Sequence, residues 1–242
     1  MNIELDVHTH TVASGHAYSS LQEMAQAASE KGLKLLGITE HAPSLPGAPR
    51  AIYFHNLHVV PRRMYGIDLL LGAELNIMDP TGRLDMDEDQ MGRLDIRIAG
   101  IHSLCYQPGT KAENTEGLIN VIQNPWIDII SHPGDGTAEL EFEPIVRAAK
   151  EAGTLLEINN SSLKPIRNKE SARSNNLEIL RLCKEYESPV ILGSDAHISF
   201  DIANFQYLKP LLAEAEFPEE LIVNNDAEAF IDRIRSKHEK IR

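Results

Sequence analysis

Leu5-Asp6-Val7-His8-Thr9-His10, almost at the amino terminus, is the stretch from which the fold of this chain is read. Ile3 to Val7 has the pattern of a short strand, with Ile3, Leu5 and Val7 on one face. Successive strand side chains alternate, so His8 and His10 project to the same side. Two imidazoles side by side on a rigid strand can grip one divalent cation through nitrogen. A single pair of this kind is ordinary at a polar strand end. Here the arrangement returns at the end of nearly every strand that follows.

After His10 a polar loop, 11–18, carries His16, and Ser19 or Ser20 caps a helix that runs to about Lys31, with Gly32 at its carboxyl end. Leu33 to Thr39 reads as the second strand and ends in Glu40-His41. Ala42 to Pro49 holds three prolines and a glycine and cannot be regular structure. Residues 56–65 are ambiguous between helix and loop. Ile67 to Ala73 is nearly all apolar, as a buried parallel strand should be, and ends in Glu74. The acidic run Asp85, Asp87, Glu88, Asp89 reads as a solvated helix start or loop rather than a metal site. Asp95 to Ile101 alternates Ile96, Ile98 and Gly100 and leads to His102; a helix follows from about Thr115 to Gln123. Ile127 to Ile130 leads to Ser131-His132-Pro133, and Pro144 and Gly153 bracket the next helix. Thr154 to Ile158 precedes Asn159-Asn160-Ser161-Ser162, then a basic loop with Lys164, Arg167, Lys169 and Arg173, and a helix from about Asn176 to Tyr186. Val190 to Gly193 ends in Ser194-Asp195-Ala196-His197, and the rest reads as helices, with Ala227 to Lys237 the clearest.

Strand, helix and strand therefore alternate about seven times, which argues for parallel strands with covering helices and for a barrel more than an open sheet. In such barrels the chemistry sits at the carboxyl ends of the strands. The candidate ligands fall there: His8, His10, His41, Glu74, His102, His132, Asp195 and His197, with His16 in the first loop. Six of seven strand ends carry His, Asp or Glu, too regular a placement for structural histidines alone.

The totals set bounds on the partners. With 242 residues, 42% of them hydrophobic, one large core and a single domain over 1–242 are expected. A formal net charge of −13 disfavours long nucleic acids as partners. Cys105 and Cys183 form no ligand pair by spacing, no apolar run approaches a membrane span, and the first residues carry no signal peptide. A cytoplasmic protein with no membrane partner is the expectation. His and carboxylate ligands without thiolate suit zinc, manganese or iron, and nine such groups imply two or three ions. A carboxylate such as Glu74 can bridge a pair. Metal pairs about 3.5–4 Å apart hold a hydroxide at neutral pH and clamp the attacking and leaving oxygens of a phosphoryl displacement. That is metallophosphoesterase chemistry, and Arg167 and Arg173 of the basic loop are candidates to hold the phosphate.

The series His8-Thr9-His10, His16, Thr39-Glu40-His41, Glu74, His102, Ser131-His132-Pro133 and Gly193 to His197 resembles the motif series of the polymerase-and-histidinol-phosphatase (PHP) family. The 42–49 loop and Glu157 to Ser162 resemble its YcdX-like branch. The resemblance implies a distorted (β/α)7 barrel, TIM-barrel-like, with a trinuclear metal centre, usually of zinc. Carried over by motif, one ion takes His8, His10, Glu74 and Asp195, a second shares Glu74 and adds His102 and His132, and the third takes His16, His41 and His197. His55, His58 and His238 fall outside the set and read as surface or packing histidines. Glu40 either orients an imidazole or is simply solvated.

The expected activity is hydrolysis of small phosphate monoesters by a metal-bound hydroxide, with Glu74 and Asp195 as the catalytic carboxylates and Asp195 relaying a proton. Zinc is the first choice for the three divalent ions, with manganese or iron as alternatives. Competing readings are a phosphodiesterase or exonuclease acting on nucleotides, a histidinol-phosphate phosphatase, and a non-catalytic metal-binding module.

Overall fold

A computed structural model describes residues 2–241 of the protein. Its strands are β1 (Leu5–Asp6), β2 (Leu35–His41), β3 (Arg63–Met64), β4 (Ile67–Asn76), β5 (Ile96–Gly100), β6 (Ile129–Ile130), β7 (Leu155–Asn159) and β8 (Val190–Gly193). Seven of them pair in parallel in the order β1-β2-β4-β5-β6-β7-β8, and β3 adds a short antiparallel hairpin to β4. The helices are α1 (Leu21–Glu30), α2 (Ala51–His55), α3 (Glu88–Met91), α4 (Lys111–Gln123), α5 (Phe142–Ala152), α6 (Ala172–Glu185), α7 (Leu208–Glu214) and α8 (Ala227–Glu239). The nearly closed parallel barrel expected from the alternation is the observed architecture.

Two apolar layers follow from the two faces of each strand. Leu36, Ile38, Leu69, Leu71, Ile130 and Leu156 face outward and pack under the helices. Leu5, Val7, Leu35, Ile96, Ile98, Ile129, Leu155 and Ile191 fill the interior, and Ala227, Phe230 and Ile234 of α8 plug its amino-terminal end. The interior is therefore packed, as in other parallel barrels, and only its carboxyl-terminal rim is left for chemistry.

The seam between β8 and β1 is closed without a regular ladder. At the rim, Thr9 and Ala196 form one parallel bridge, and His10 N–H donates to Ala196 O at 2.9 Å. Deeper in, the buried side chain of Asn224 stands in for a peptide unit. Its Oδ1 accepts from Leu192 N–H at 2.7 Å, and its Nδ2 donates to Leu192 O at 2.8 Å and Leu5 O at 3.1 Å. Edge strands facing a core cannot leave backbone groups unpaired, and the amide supplies both polarities.

Local boundaries differ from the sequence expectations in informative ways. Helix α4 starts at Lys111, four residues earlier than expected, because Thr110 and Glu113 form a capping box behind Gly109. Strands β2 and β4 run on through His41 and Asn76, so two expected strand-end ligands, His41 and Glu74, lie inside the ladder. The ambiguous residues 56–65 hold a 3-10 turn, Asn56–Val59, and the β3 strand. In the acidic run Asp87 caps α3, as a solvated helix start would, whereas Asp85 turns inward to Asn76. No described helix is long and apolar enough to cross a membrane.

Candidate metal centre

The nine candidate ligands converge on the barrel rim around Glu74, whose side chain is fully buried. Its Oε1 lies 2.8 Å from His132 Nε2, 3.3 Å from His102 Nε2 and 3.4 Å from His8 Nε2. Its Oε2 lies 2.8 Å from His41 Nδ1 and 3.6 Å from His10 Nε2. Asp195 Oδ1 approaches His197 Nδ1 at 3.3 Å, His10 Nε2 at 3.5 Å and His8 Nε2 at 3.7 Å. His16 Nε2 meets His197 Nε2 at 3.0 Å. His41 stands between two groups, close enough to share an ion with His10 and His197 or with Glu74 and His102.

The backbone is bent to achieve this. His132 and Asp195 take positive φ values of 35° and 51°. A non-glycine residue held there costs of order 1–3 kcal/mol, and such strain collects at functional sites.

The far side of each ring decides what the near side can offer. His8 Nδ1–H donates to Glu157 Oε1 at 2.7 Å. His10 Nδ1–H donates to Ser14 Oγ at 3.2 Å, and Ser14 passes its own proton to Glu40 at 2.5 Å. His102 Nδ1–H donates to Asn76 Oδ1 at 2.8 Å; Asn76 is held in that orientation because its Nδ2 donates to Asp85 and to Ala42 O. His16 and His197 donate through Nδ1–H to the carbonyls of Ser14 and Asp195, each at 3.1 Å. When neutral, these five rings therefore present a bare Nε2 to the centre, the tautomers being assigned from the network.

It follows that His8 Nε2 and His10 Nε2, 3.1 Å apart, and His16 Nε2 and His197 Nε2, 3.0 Å apart, face each other as lone pairs. Such contacts require a cation between or beside them, either a proton or a metal ion. His41 Nδ1, Glu74 Oε2 and His102 Nε2 are buried and, although Oε2 lies 2.8 Å from His41 Nδ1 and His102 Nε2 lies 3.3 Å from Oε1, the angles there do not form hydrogen bonds. Unpaired buried groups are costly, and three in one cluster of nitrogen and oxygen donors are what a divalent ion would satisfy. The donor set fits zinc and its neighbours in ligand preference.

The electrostatics agree with that fit. Burial alone would push the Glu74 carboxyl up, but His102, His8 and His41 outweigh it and hold Glu74 well below the usual carboxylate range. Burial acts likewise on Asp195 and is outweighed by His8, His10 and His197. His10 is driven well below the ordinary histidine value by burial, reinforced by His41 and His197, so it remains neutral. His8 resists burial because Glu157, Glu74 and Asp195 hold its proton.

A cavity of about 200 Å³ opens above the cluster, and Leu45, Ser103, Leu104, Asp135, Thr137, Arg167 and Lys169 complete its wall. Arg167 donates to Ser161 Oγ at 3.0 Å, and Lys169 pairs with Asp135. Arg173, grouped with Arg167 by the sequence, does not reach the cavity; it pairs with Glu214 on the outer surface. Among the remaining histidines, His55 and His58 are exposed, while His238 packs at the barrel base between Arg97 and Asp128. Glu40 is fully buried and so is not the solvated carboxylate of the alternative reading.

Sequence reasoning does not single out Ser14, Asn76, Asp85, Asp135 or Glu157 as part of the site. Glu157 carries a readable signal, being a carboxylate two residues after Leu155 on the inward face of a fully buried strand.

A parallel barrel with a histidine–carboxylate cluster on its carboxyl-terminal rim defines the class: a barrel built to hold metal ions. The chain belongs to the PHP domain family, whose model matches residues 6–234. It is 48% identical to a "Probable phosphatase" of Clostridium novyi (strain NT) over 98% of this chain and 96% of that one. A "Probable phosphatase" of Acetivibrio thermocellus is 44% identical over 100% of this chain and 99% of its own length. Among solved structures, the fold is similar to that of histidinol phosphate phosphatase from Lactococcus lactis, described as complexed with zinc, L-histidinol and phosphate. The TM-score is 0.60 at 18% identity, covering 90% of this chain and 95% of that chain.

Proposed function

We propose that this protein is a metal-dependent phosphatase that hydrolyses small phosphate monoesters at a centre of three divalent ions, zinc being the first choice. His8, His10, Glu74 and Asp195 would hold one ion, Glu74, His102 and His132 a second, and His16, His41 and His197 the third. The observation that carries the reading is the pair of facing Nε2 contacts, His8 with His10 and His16 with His197, each with its Nδ1 committed elsewhere. The names of the close relatives and the zinc and phosphate of the Lactococcus lactis structure support it.

Bound ions would supply Lewis acidity toward phosphoryl oxygens and an activated water at neutral pH. The residues of the chain do the rest. Glu74 has both oxygens inside the cluster, one toward His132, His102 and His8 and one toward His41 and His10, which suits a bridging role. Asp195 is the cluster carboxylate at the cavity edge, with its side chain 14% exposed, and it is placed to relay a proton to the departing oxygen. His8, His10 and His197 outweigh burial and hold its carboxyl well below the usual carboxylate range. Arg167 on the cavity wall supplies a guanidinium fork for the phosphate, whereas the charge of Lys169 is already met by Asp135. A cavity of about 200 Å³ suits a small ester.

The test is phosphate release by metal-reconstituted protein from an aryl monoester and from the matching diester, beside a His10→Ala control. Turnover of the monoester, abolished in the control, is expected. Turnover of the diester alone would replace the reading by a phosphodiesterase, and activity on neither, with three ions bound, would refute it.

A further inference from the structure

Glu157 lies beneath the ligand cluster, on the inward face of β7, and is 1% exposed. Both of its oxygens are engaged. Oε1 accepts from His8 Nδ1–H at 2.7 Å; Oε2 accepts from His132 N–H at 2.7 Å and from Asn159 Nδ2 at 3.1 Å. The absence of a side chain on Gly193 makes the room, because a Cβ there would overlap Glu157 Oε1. One carboxylate thus holds the ring of one candidate ligand and the strained backbone of another.

The three donors differ in one respect. A backbone N–H cannot become an acceptor. Asn159 cannot turn either, since its Oδ1 accepts from Ser162 N–H at 2.8 Å and from Ser162 Oγ at 3.1 Å. His8 alone can change role, by moving its ring proton from Nδ1 to Nε2.

Resting on the metal-centre reading above, we propose that Glu157 is a positioning residue that locks His8 in the Nδ1–H tautomer and so keeps its Nε2 available to an ion. The lock makes an unusual demand on substitution. Glutamine at 157 has one oxygen and one amide. The oxygen is claimed by the two donors that cannot change, His132 N–H and Asn159 Nδ2. The amide then points at His8 Nδ1, which must accept, and the ring proton moves to Nε2 where the ion should bind. The isosteric change is therefore worse for ion binding than truncation to alanine, which leaves room for a water to accept from His8. A residue that merely filled space would give the opposite order.

The experiment counts zinc ions per chain against buffered free zinc for wild type, Glu157→Gln, Glu157→Ala and His8→Ala. Thermal unfolding of each metal-free protein is followed alongside. In Glu157→Gln, one ion of the set is expected to weaken by about 10- to 100-fold, the same ion that His8→Ala loses, with the others unchanged. Glu157→Ala is expected to weaken it less, although it unfolds at a lower temperature. Long-range proton–nitrogen spectra of zinc-loaded wild type, which need no variant to fold, are expected to show a His8 Nδ1–H signal. The proposal is overturned if Glu157→Gln binds every ion as wild type does, if it ranks above Glu157→Ala, or if the His8 proton sits on Nε2. A wild-type chain that binds no zinc would instead overturn the metal-centre reading, and this inference with it.

Discussion

The seam between β8 and β1 sets the geometry of the site, because His8 and His10 leave one side of it and Asp195 and His197 leave the other. Asn224 is therefore the residue whose removal we would examine first. In Asn224→Ala three buried hydrogen bonds disappear: one accepted from Leu192 N–H and two donated, to Leu192 O and Leu5 O. Each is worth about 1 kcal/mol net, and a buried group left unsatisfied costs about 1–3 kcal/mol, so the expected loss is roughly 3–5 kcal/mol. Asn224→Asp is a sharper variant. It keeps the acceptor for Leu192 N–H but turns a carboxylate oxygen toward two carbonyls, a costly burial of charge. Its folded-state pKa must then lie above the unfolded value of about 3.9, so the folded state binds more protons between those two values. Stability of Asn224→Asp relative to wild type should accordingly improve as pH falls through the raised value. Equilibrium unfolding in urea, followed by the fluorescence of Trp126, the single tryptophan, measures both effects. A loss below about 1 kcal/mol in Asn224→Ala, or an Asn224→Asp variant indifferent to pH, would show that the seam does not depend on this amide.

Four other outcomes are expected. Chelation should lower the thermal midpoint and added zinc should restore it, since ligand at a thousandfold excess over Kd contributes about 4 kcal/mol; an unchanged midpoint would argue against ions bound in the fold. Ser14→Ala frees His10 Nδ1 from its link to Glu40 and should weaken ion binding by about 10- to 100-fold while leaving the fold intact, as measured by metal content and circular dichroism. Arg167→Ala should raise KM for a monoester roughly 10- to 100-fold, the worth of a hydrogen bond to a charged group, whereas Arg173→Ala, paired to Glu214 outside the cavity, should leave it unchanged. Burial pushes the Lys237 ammonium down to about 8 from its ordinary 10.5, so the unfolded chain binds more protons in that window and stability should rise with pH across it; the rise should be missing in Lys237→Met.

Eight of the nine candidate ligand positions are legible in the sequence because each closes an apolar run read as a buried strand, so that its place on the rim comes from topology; His16 lies in the loop after the first strand. What is not legible is what holds them. Glu157 and Asn76 act on rings 149 and 26 residues away, and Asp85 acts through the Asn76 amide 9 residues from it, separations along the chain that no local pattern encodes. The same holds for Asn224, a polar residue in an ordinary stretch that reaches Leu5 across 219 residues. Helix α4 is longer than its periodicity suggests for a different reason. Its capping box, Thr110 to Glu113, is present in the sequence, but the apolar stripe begins only at Leu118, so the first two turns carry no periodic signal. Arg167 and Arg173 show the limit of composition. Both lie in one basic loop by sequence, yet Arg173 is already on α6, whose start turns it away from the mouth.

The interior explains how so many charges can be buried together. Inward positions along β5 run Ile96, Ile98, Gly100, those along β7 run Leu155, Glu157, Asn159, and those along β8 run Ile191, Gly193. On each of these strands the change from apolar to small or polar comes toward the carboxyl end. Below it, the aliphatic floor excludes water and strengthens every interaction above. Above it, the glycines are cut-outs. A Cβ at Gly193 would overlap Glu157, and one at Gly100 would overlap Ser131 Oγ and crowd His132. Glu40, Glu74, Glu157 and Asp195 all lie within this layer, three of them fully or almost fully buried, and the rings around them cannot balance that charge while neutral. In the absence of ions the balance is made by protons, as at His8. Divalent ions would displace those protons, so metal binding and proton release are coupled by the architecture itself. The chain's net charge of −13 is no obstacle to an anionic substrate on this account, because the field at the cavity is set by the cations the rim can hold rather than by the surface total.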